Sequence, residues 1–466
     1  MNAPQLKSEL GSLQLFTFGF GSIVGIAWVV LMGQVLGQAG LLGVFIGLSI
    51  GALMMGLVGL CYAEVGTRFP IAGGEVAYVR HLYGVKASHV LGWFLLLSCI
   101  LVCGFEMVSV GWIIGLLWPD IVHIRLYSIL GSEVYLEPLA ASIAVQALIA
   151  GVNYIGARSA GRLQAFTTGG KILLSACFIA AGLRVANTAY SKPLFVEDTA
   201  GLVWPGIISV VTIAPFWFSG FNAISQTIGE RSRKISPTLA ANMIIISLAA
   251  AWVFYSLVLF SMSLVMPRQE LLSYPLPTAA AFQAAFQSPV IGSIVLFAGL
   301  LGLVSTWNAL FFSGTRILLV LAADGFVSPA FRTLDLRFGT PKNAILFLGA
   351  LIPMLALFGK GVIGPLLSSF SIVMAAIYAM VCLGVIILRR RTRAETAFAT
   401  SHRTVLPYLA LCACAAIEVF SLMEPIRGWH QHGRIPLEWL FLIVWGFWGI
   451  WLARRGTAVD IRALSK

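Results

Sequence analysis

The chain has 466 residues, of which 59% are hydrophobic and only 10% are charged, and its formal net charge is +12. Because roughly a quarter of the residues in soluble domains are charged, this composition excludes an ordinary soluble domain and predicts an integral membrane protein. The basic residues lie almost entirely in short segments between apolar stretches, where they indicate orientation in a membrane and not nucleic-acid binding.

Apolar windows along the chain predict an all-α membrane protein with twelve spans, short loops and no soluble domain. The predicted spans are 13–36, 41–64, 88–117, 139–157, 164–184, 204–228, 239–265, 290–321, 343–359, 362–388, 405–423 and 437–453. All seven cysteines fall inside apolar segments, which indicates packed thiols and neither a disulfide framework nor a metal site. We therefore expect no metal and no other cofactor.

The orientation follows from the basic residues. With the amino terminus in the cytoplasm, 22 of the 30 lysines and arginines lie in inner loops and tails, and only Lys171 lies within a span. The positive-inside rule then predicts a protein of the cytoplasmic (inner) membrane with both termini in the cytoplasm. Anionic lipid headgroups are the expected contacts of the basic loops.

The first span contains a run of small residues near its middle, Gly21-Ser22-Ile23-Val24-Gly25. Glycine weakens a helix, and backbone groups freed at bilayer depth must find a polar partner. In secondary transporters that partner is the substrate, held where a helix is discontinuous. The alternative is a small-residue face for helix packing, since the spacing of the two glycines also fits that pattern.

A second weak point lies in span six, at Pro215-Phe216-Trp217-Phe218-Ser219-Gly220-Phe221-Asn222. Spans one and six each open a group of five, and because five is odd the two groups enter the membrane from opposite sides. The sequence thus predicts two inverted halves, 13–184 and 204–388, followed by two further spans over 405–453. Short helical patterns at 75–83 and 278–286 occupy matching loops in the two halves.

Several stretches together resemble the amino acid–polyamine–organocation (APC) permeases. They are FGFGSIVG at 18–25, RFPIAGGEVAY at 68–78, FWFSGF at 216–221, STWNA at 305–309 and GTP at 339–341. The match covers about 13–390, although Asn222 stands where family members usually carry an acidic residue. The resemblance implies a LeuT-type 5+5 inverted repeat with discontinuous helices one and six.

The resemblance also implies where a substrate would bind. Its carboxylate would meet the backbone N–H groups of Ser22 to Gly25, and its ammonium would meet carbonyl groups near Phe216 to Ser219. The partial charges at the ends of half-helices favour the same arrangement for a zwitterion. An aromatic side chain of Phe216, Trp217, Phe218 or Phe221 would close over the ligand, or these rings would instead be core or lipid-facing residues.

Lys171 lies within span five, at a position similar to a lysine of many family members. In this fold a sodium ion can sit between spans one, five and eight, and an ammonium could replace it, with Ser305 and Thr306 as neighbours. A buried lysine that gains and loses a proton would couple transport to protons. The alternatives are a static clamp on carbonyl groups of span one and a side chain that extends towards the inner surface.

Glu106 lies near the middle of span three. It could pair with a second cation on the substrate, which would favour a diamine or a basic amino acid, or it could carry a proton. The alternative is a protonated acid that is bonded to a neighbouring helix.

These observations predict a sodium-independent carrier of amino acids that works by alternating access and is proton-coupled or exchanging. The alternative is a carrier of amines such as polyamines or ethanolamine. An enzyme is not expected, because no cluster of catalytic residues has the required spacing. A channel fits poorly with two broken helices in one chain.

Overall fold

The computed structural model describes residues 10–69, 74–198, 200–228, 231–232, 234–274, 276–391, 405–432 and 436–463. Residues 70–73 of the predicted loop motif and both chain ends therefore lie outside the described residues. The helices are α1 Ser12–Ile23, α2 Ala27–Val30, α3 Met32–Arg68, α4 Gly74–Tyr83, α5 Val85–Leu117, α6 Leu136–Ile155, α7 Ala157–Arg184, α8 Trp204–Thr212, α9 Ala214–Phe218, α10 Asn222–Thr227, α11 Pro237–Ser263, α12 Arg268–Ser273, α13 Pro277–Phe286, α14 Pro289–Ala323, α15 Lys342–Ala356, α16 Ile363–Arg391, α17 Leu406–His432 and α18 Leu437–Ala463.

Ten helical segments in the described part of the chain are long and apolar enough to cross a membrane. The two other predicted spans are also helical but shorter or interrupted: span nine is α15, and span six consists of α8, α9 and α10. The predicted loop helices at 75–83 and 278–286 correspond to α4 and α13. A mostly helical membrane protein is therefore confirmed.

Spans one and six are interrupted at the glycine-containing segments. Helix α1 ends at Ile23, Val24 has a non-helical ψ of 85°, and the helix resumes at Ala27. Helix α9 ends at Phe218, and Gly220 has a φ of +109° before α10 begins. Helix α1 packs against α7, α11 and α14, so the first interruption lies in the interior of the bundle.

A small antiparallel hairpin between α5 and α6 was not predicted. It consists of β1, Arg125–Ile129, and β2, Ser132–Tyr135. Its two-residue turn, Leu130–Gly131, has positive φ at both positions, as tight hairpins require. The stretch is short, largely exposed and lacks strong alternation, so its sequence is not distinct from that of an irregular loop.

Candidate functional site

The two interruptions contact each other. Ser22 Oγ lies 2.6 Å from the carbonyl oxygen of Gly220 and 2.6 Å from that of Phe18. A Cβ atom on Gly220 would lie 2.6 Å from the carbonyl carbon and oxygen of Ser22, closer than real atoms approach. Only glycine combines this contact with its positive φ, and this explains why the break in span six contains it.

Main-chain donors are free on the side of span one. The N–H groups of Val24 and Gly25 donate to Phe20 and Ile23, whereas those of Ile26 and Ala27 donate to no described residue. The free donors thus lie one and two residues after the predicted Ser22–Gly25 segment. Free N–H groups at bilayer depth are costly, so they favour an anionic or acceptor ligand.

Main-chain acceptors are free on the side of span six. The carbonyl oxygens of Phe216, Trp217 and Phe218 accept no hydrogen bond from the residues that the structure describes. These carbonyl groups belong to the end of α9, where the helical hydrogen-bond pattern stops. The arrangement offers acceptors to a cation where the sequence predicts them.

A cavity of about 30 Å³ lies between the interruptions. Most of its polar lining comes from predicted site residues, namely Ser22, Gly25, Glu106, Ser219, Gly220, Asn222 and Thr306, and Ser98 was not predicted. Its apolar wall consists of Ile23, Ile26, Ala27, Val102, Phe105, Phe216, Leu310, Phe370 and Met374. This volume is far too small for an amino acid, so the cavity must widen to hold one.

The four candidate aromatic residues have different surroundings. Phe216 lines the cavity and packs edge-on against Phe105, with ring centroids 5.7 Å apart. Trp217 and Phe218 are fully buried against Tyr255, and Phe221 stacks on Tyr378 at 5.4 Å. Of the four rings, the structure places that of Phe216 at the cavity and the other three in the core.

Lys171 is fully buried, and its ammonium donates to the carbonyl oxygen of Val24 at the first interruption. The span-eight residue against its side chain is Gly302, where a Cβ would lie 3.4 Å from Lys171 Cδ. Ser305 and Thr306 instead each donate to the carbonyl oxygen of Gly21 at 3.1 Å. The structure brings all three predicted residues to span one, but at two different carbonyl groups.

Glu106 approaches the same interruption from α5. A Cβ on Gly25 would lie 3.1 Å from Glu106 Oε1 and 2.9 Å from Thr306 Oγ1. Glu106 Oε2 is buried with no hydrogen-bond partner among the described residues, and the carboxylate interacts electrostatically with Lys171. Glu106 therefore lines the cavity, while Lys171 lies at the first interruption without lining it.

A model of the amino acid permease family matches residues 10–448, nearly the whole chain. The chain belongs to the amino acid permease family. The permease is 27% identical over 448 residues to the branched-chain amino acid permease BcaP of Bacillus subtilis, covering 94% of this chain and 91% of that protein. It is 26% identical to two human proteins, the Asc-type amino acid transporter 1 (90% and 79% covered) and the b(0,+)-type amino acid transporter 1 (90% and 83% covered).

These findings confirm the resemblance to the APC permeases, which was inferred from the motifs alone. The relatives are transporters, and the permease is an integral membrane protein with an amino acid as the substrate that its family implies.

Sequence reasoning missed several residues that hold the permease's interruptions in place. Gln164 donates to Ser305 Oγ and to the carbonyl oxygen of Thr17, both at 3.0 Å. Tyr255 Oη donates to the carbonyl oxygen of Ile23 at 3.0 Å, and Tyr378 Oη lies 2.8 Å from Ser219 Oγ. These residues could have been found as polar side chains within predicted spans, because buried hydroxyl and amide groups need hydrogen-bond partners.

Two ion pairs at one end of the permease were also not predicted. Arg389 at the end of α16 binds Glu64 near the end of α3 through two contacts, at 2.5 Å and 3.0 Å. Arg80 of α4 pairs with Asp324 just after α14. All four residues lie at the edges of segments that the basic residues assign to the cytoplasmic side.

A larger cavity, about 640 Å³, lies beside the hairpin and contains none of the predicted site residues. Trp112, Val134 and Lys360 are among its lining residues. The candidate site is therefore the smaller cavity, because that is where the free main-chain groups converge.

Proposed function

We propose that this permease carries amino acids across the cytoplasmic membrane by alternating access around the interruptions in spans one and six. The proposal includes twelve spans, arranged as two inverted halves (13–184 and 204–388) and two further spans over 405–453, with both termini in the cytoplasm. The observation that carries it is a small cavity between two contacting interruptions, with free N–H groups on one side and free carbonyl groups on the other.

This arrangement suits a zwitterion. The segment Ser22–Gly25, with the free N–H groups of Ile26 and Ala27 that follow it, receives the carboxylate. The carbonyl groups of Phe216 to Ser219, beside Gly220, receive the ammonium. Because most binding groups belong to the main chain, the backbone part of any amino acid fits the same site.

The wall of the cavity favours an apolar substrate side chain. Val102, Leu310 and Met374 are aliphatic or flexible, and the rings of Phe105 and Phe216 lie beside them. Burying a Val- or Leu-sized side chain there contributes about 1.5–3 kcal/mol. Neutral aliphatic amino acids are thus the proposed substrates, and one relative of this chain is a branched-chain amino acid permease. Because the cavity holds about 30 Å³, the apolar wall must move apart as the substrate binds.

Lys171 provides the proposed coupling. Its ammonium occupies a position between spans one, five and eight, bonded to Val24, where a sodium ion would otherwise be held. Because the ammonium of Lys171 takes the place of a sodium ion, we propose sodium-independent transport with proton coupling or exchange. Loss of the proton would weaken the contact with Val24 and release the interruption.

Counterflow with the purified protein in liposomes tests the function. Vesicles loaded with unlabelled leucine or alanine should accumulate labelled leucine from an outside medium that contains potassium in place of sodium. Loading with arginine or putrescine should produce no more accumulation than empty vesicles. Equal accumulation for putrescine would favour the amine carrier, and absence of saturable exchange with any amino acid would contradict the proposal.

The amine alternative rests on the unpartnered oxygen of Glu106, and a single substitution tests it. Glu106→Gln should keep leucine counterflow, because the zwitterion contacts are on the main chain. If the carboxylate binds a second substrate cation, the same change should lower putrescine or arginine exchange about tenfold or more, since a hydrogen bond to a charged group contributes about 1.5–3 kcal/mol.

The matched control is Glu418→Gln, which changes another carboxyl within an apolar helix that does not line the cavity. Loss of leucine exchange in Glu106→Gln but not in Glu418→Gln would show that Glu106 serves the zwitterion site itself.

A further inference from the structure

Glu75, in the first turn of α4, lies in a buried polar cluster that the transport proposal does not use. The cluster consists of Tyr62 of α3, Glu75 and Tyr78 of α4, and Asn222, Ser225 and Gln226 of α10. Glu75 has 0% exposure, and α4 is a short helix between two predicted spans. Asn222 belongs both to the cluster and to the lining of the cavity, so α10 connects the two.

The contact between α4 and α10 is close. A Cβ on Gly74, whose φ is +46°, would lie 3.0 Å from the main chain of Ser225 and Gln226. Gln226 Nε2 donates to Glu75 Oε2 at 3.2 Å. Helix α10 therefore covers one side of the Glu75 carboxyl and donates a hydrogen bond to it.

The hydrogen bonds of the cluster are incomplete. Glu75 Oε1 and Gln226 Oε1 are buried without a hydrogen-bond partner among the described residues, although the side chains of Tyr62 and Asn222 lie close to the carboxyl. The amide oxygen of Gln226 can only accept a hydrogen bond, and Glu75 Oε1 can only accept one while the carboxyl is ionised. A proton on Glu75 adds a donor where two acceptors lack one.

Among the residues that the structure describes, no basic side chain compensates an ionised Glu75. The titratable groups that face it are Tyr62 from α3, Tyr78 from α4, Cys99 from α5 and Tyr378 from α16, all of which are neutral near pH 7. Helix α10 contributes only amide and hydroxyl groups, and no basic side chain among the described residues forms an ion pair with it. Burial raises the pKa of Glu75 to about 7.

We propose that Glu75 is a proton-binding site: its buried carboxyl carries a proton while α4 and α10 are in contact and releases it to water when α10 moves away during transport. The step is a simple proton transfer between the carboxyl and water, with no bond to the substrate. The site is separate from Lys171, and it adds a second proton on the side of the molecule where α4 lies.

Infrared spectroscopy of the substrate-free protein tests the proton directly. The difference spectrum between wild type and Glu75→Gln should contain a carbonyl band of a protonated carboxylic acid that disappears as the pH is raised through about 7. Glu64→Gln is the matched control, because Glu64 is also a buried carboxyl but is bound by the guanidinium of Arg389. Glu75→Asp should keep a band that titrates with pH. This result would show that the fold tolerates a substitution at this position.

Leucine counterflow at equal pH on both sides tests the link to transport. The wild-type rate should change as the pH passes through about 7, and this step should be lost in Glu75→Gln but kept in Glu75→Asp. In the infrared experiment, the proposal is overturned if the band is absent, if Glu75→Gln leaves the band in place, or if sodium abolishes the band at constant pH. In the counterflow experiment, it is overturned if Glu75→Gln keeps the pH dependence of the rate. The infrared result requires no substrate, so it stands or falls independently of the proposed amino acid transport.

Discussion

Lys171→Ala should abolish the accumulation of leucine that an inward proton gradient drives in liposomes, while leucine counterflow at equal pH continues at a reduced rate. The change removes the ammonium that binds the carbonyl oxygen of Val24 and leaves Glu106 without its nearby positive charge. Loss of a hydrogen bond from a charged donor costs about 1.5–3 kcal/mol, so the counterflow rate should fall roughly tenfold or more. Exchange persists because main-chain groups hold the substrate.

A second variant separates a proton carrier from a static clamp. Lys171→Arg keeps a positive charge and hydrogen-bond donors, but the guanidinium does not release its proton in proteins. We expect Lys171→Arg to exchange leucine without accumulating it. Proton-driven accumulation by either variant would contradict the coupling role, and Lys192→Ala, an exposed lysine in a loop, should behave as wild type.

Gly220→Ala should abolish counterflow and lower the thermal stability of the purified protein. The new Cβ would meet the carbonyl carbon and oxygen of Ser22 at 2.6 Å and the nitrogen of Ile23 at 2.9 Å, and main-chain atoms cannot rotate away. Overpacking costs about 1–3 kcal/mol, and the positive φ adds about 1–2 kcal/mol. The two interruptions would have to separate, which destroys the cavity between them.

Gly325→Ala is the matched control for this prediction. Gly325 also has a positive φ, of +79°, but a Cβ there would contact nothing within 4 Å. It should therefore lose about 1–2 kcal/mol of stability for its conformation alone and still exchange leucine. Equal activity of the Gly220 and Gly325 variants in counterflow would show that contact between the interruptions is not needed.

The positions of the interruptions could be predicted because glycine and proline weaken a helix wherever they occur. The sequence does not specify which main-chain groups remain free, because that depends on hydrogen bonds such as Val24 to Phe20, which form only in the folded chain. For this reason the free donors lie at Ile26 and Ala27, slightly beyond the predicted segment.

Side-chain directions were less predictable than helix positions. Phe216, Trp217 and Phe218 are adjacent aromatic residues in a five-residue helix, and their chemistry does not indicate which one faces the cavity. Contacts with Tyr255 and Phe105, from distant parts of the chain, decide it. Ser305 and Thr306 were placed near Lys171 by the resemblance, whereas the exact carbonyl that each one binds depends on how α14 is rotated against α1.

The small volume of the central cavity has an energetic consequence for this carrier. A cleft of about 30 Å³ has no room for an amino acid, so the surrounding helices must part before a substrate can be held there. The substrate must therefore bind the expanded conformation more tightly than the contracted one, because a ligand shifts an equilibrium only by its difference in affinity between two states. Larger aliphatic side chains bury more apolar surface in the expanded cavity. Apparent affinity should therefore rise with the size of the substrate side chain until the space between the aromatic rings is filled.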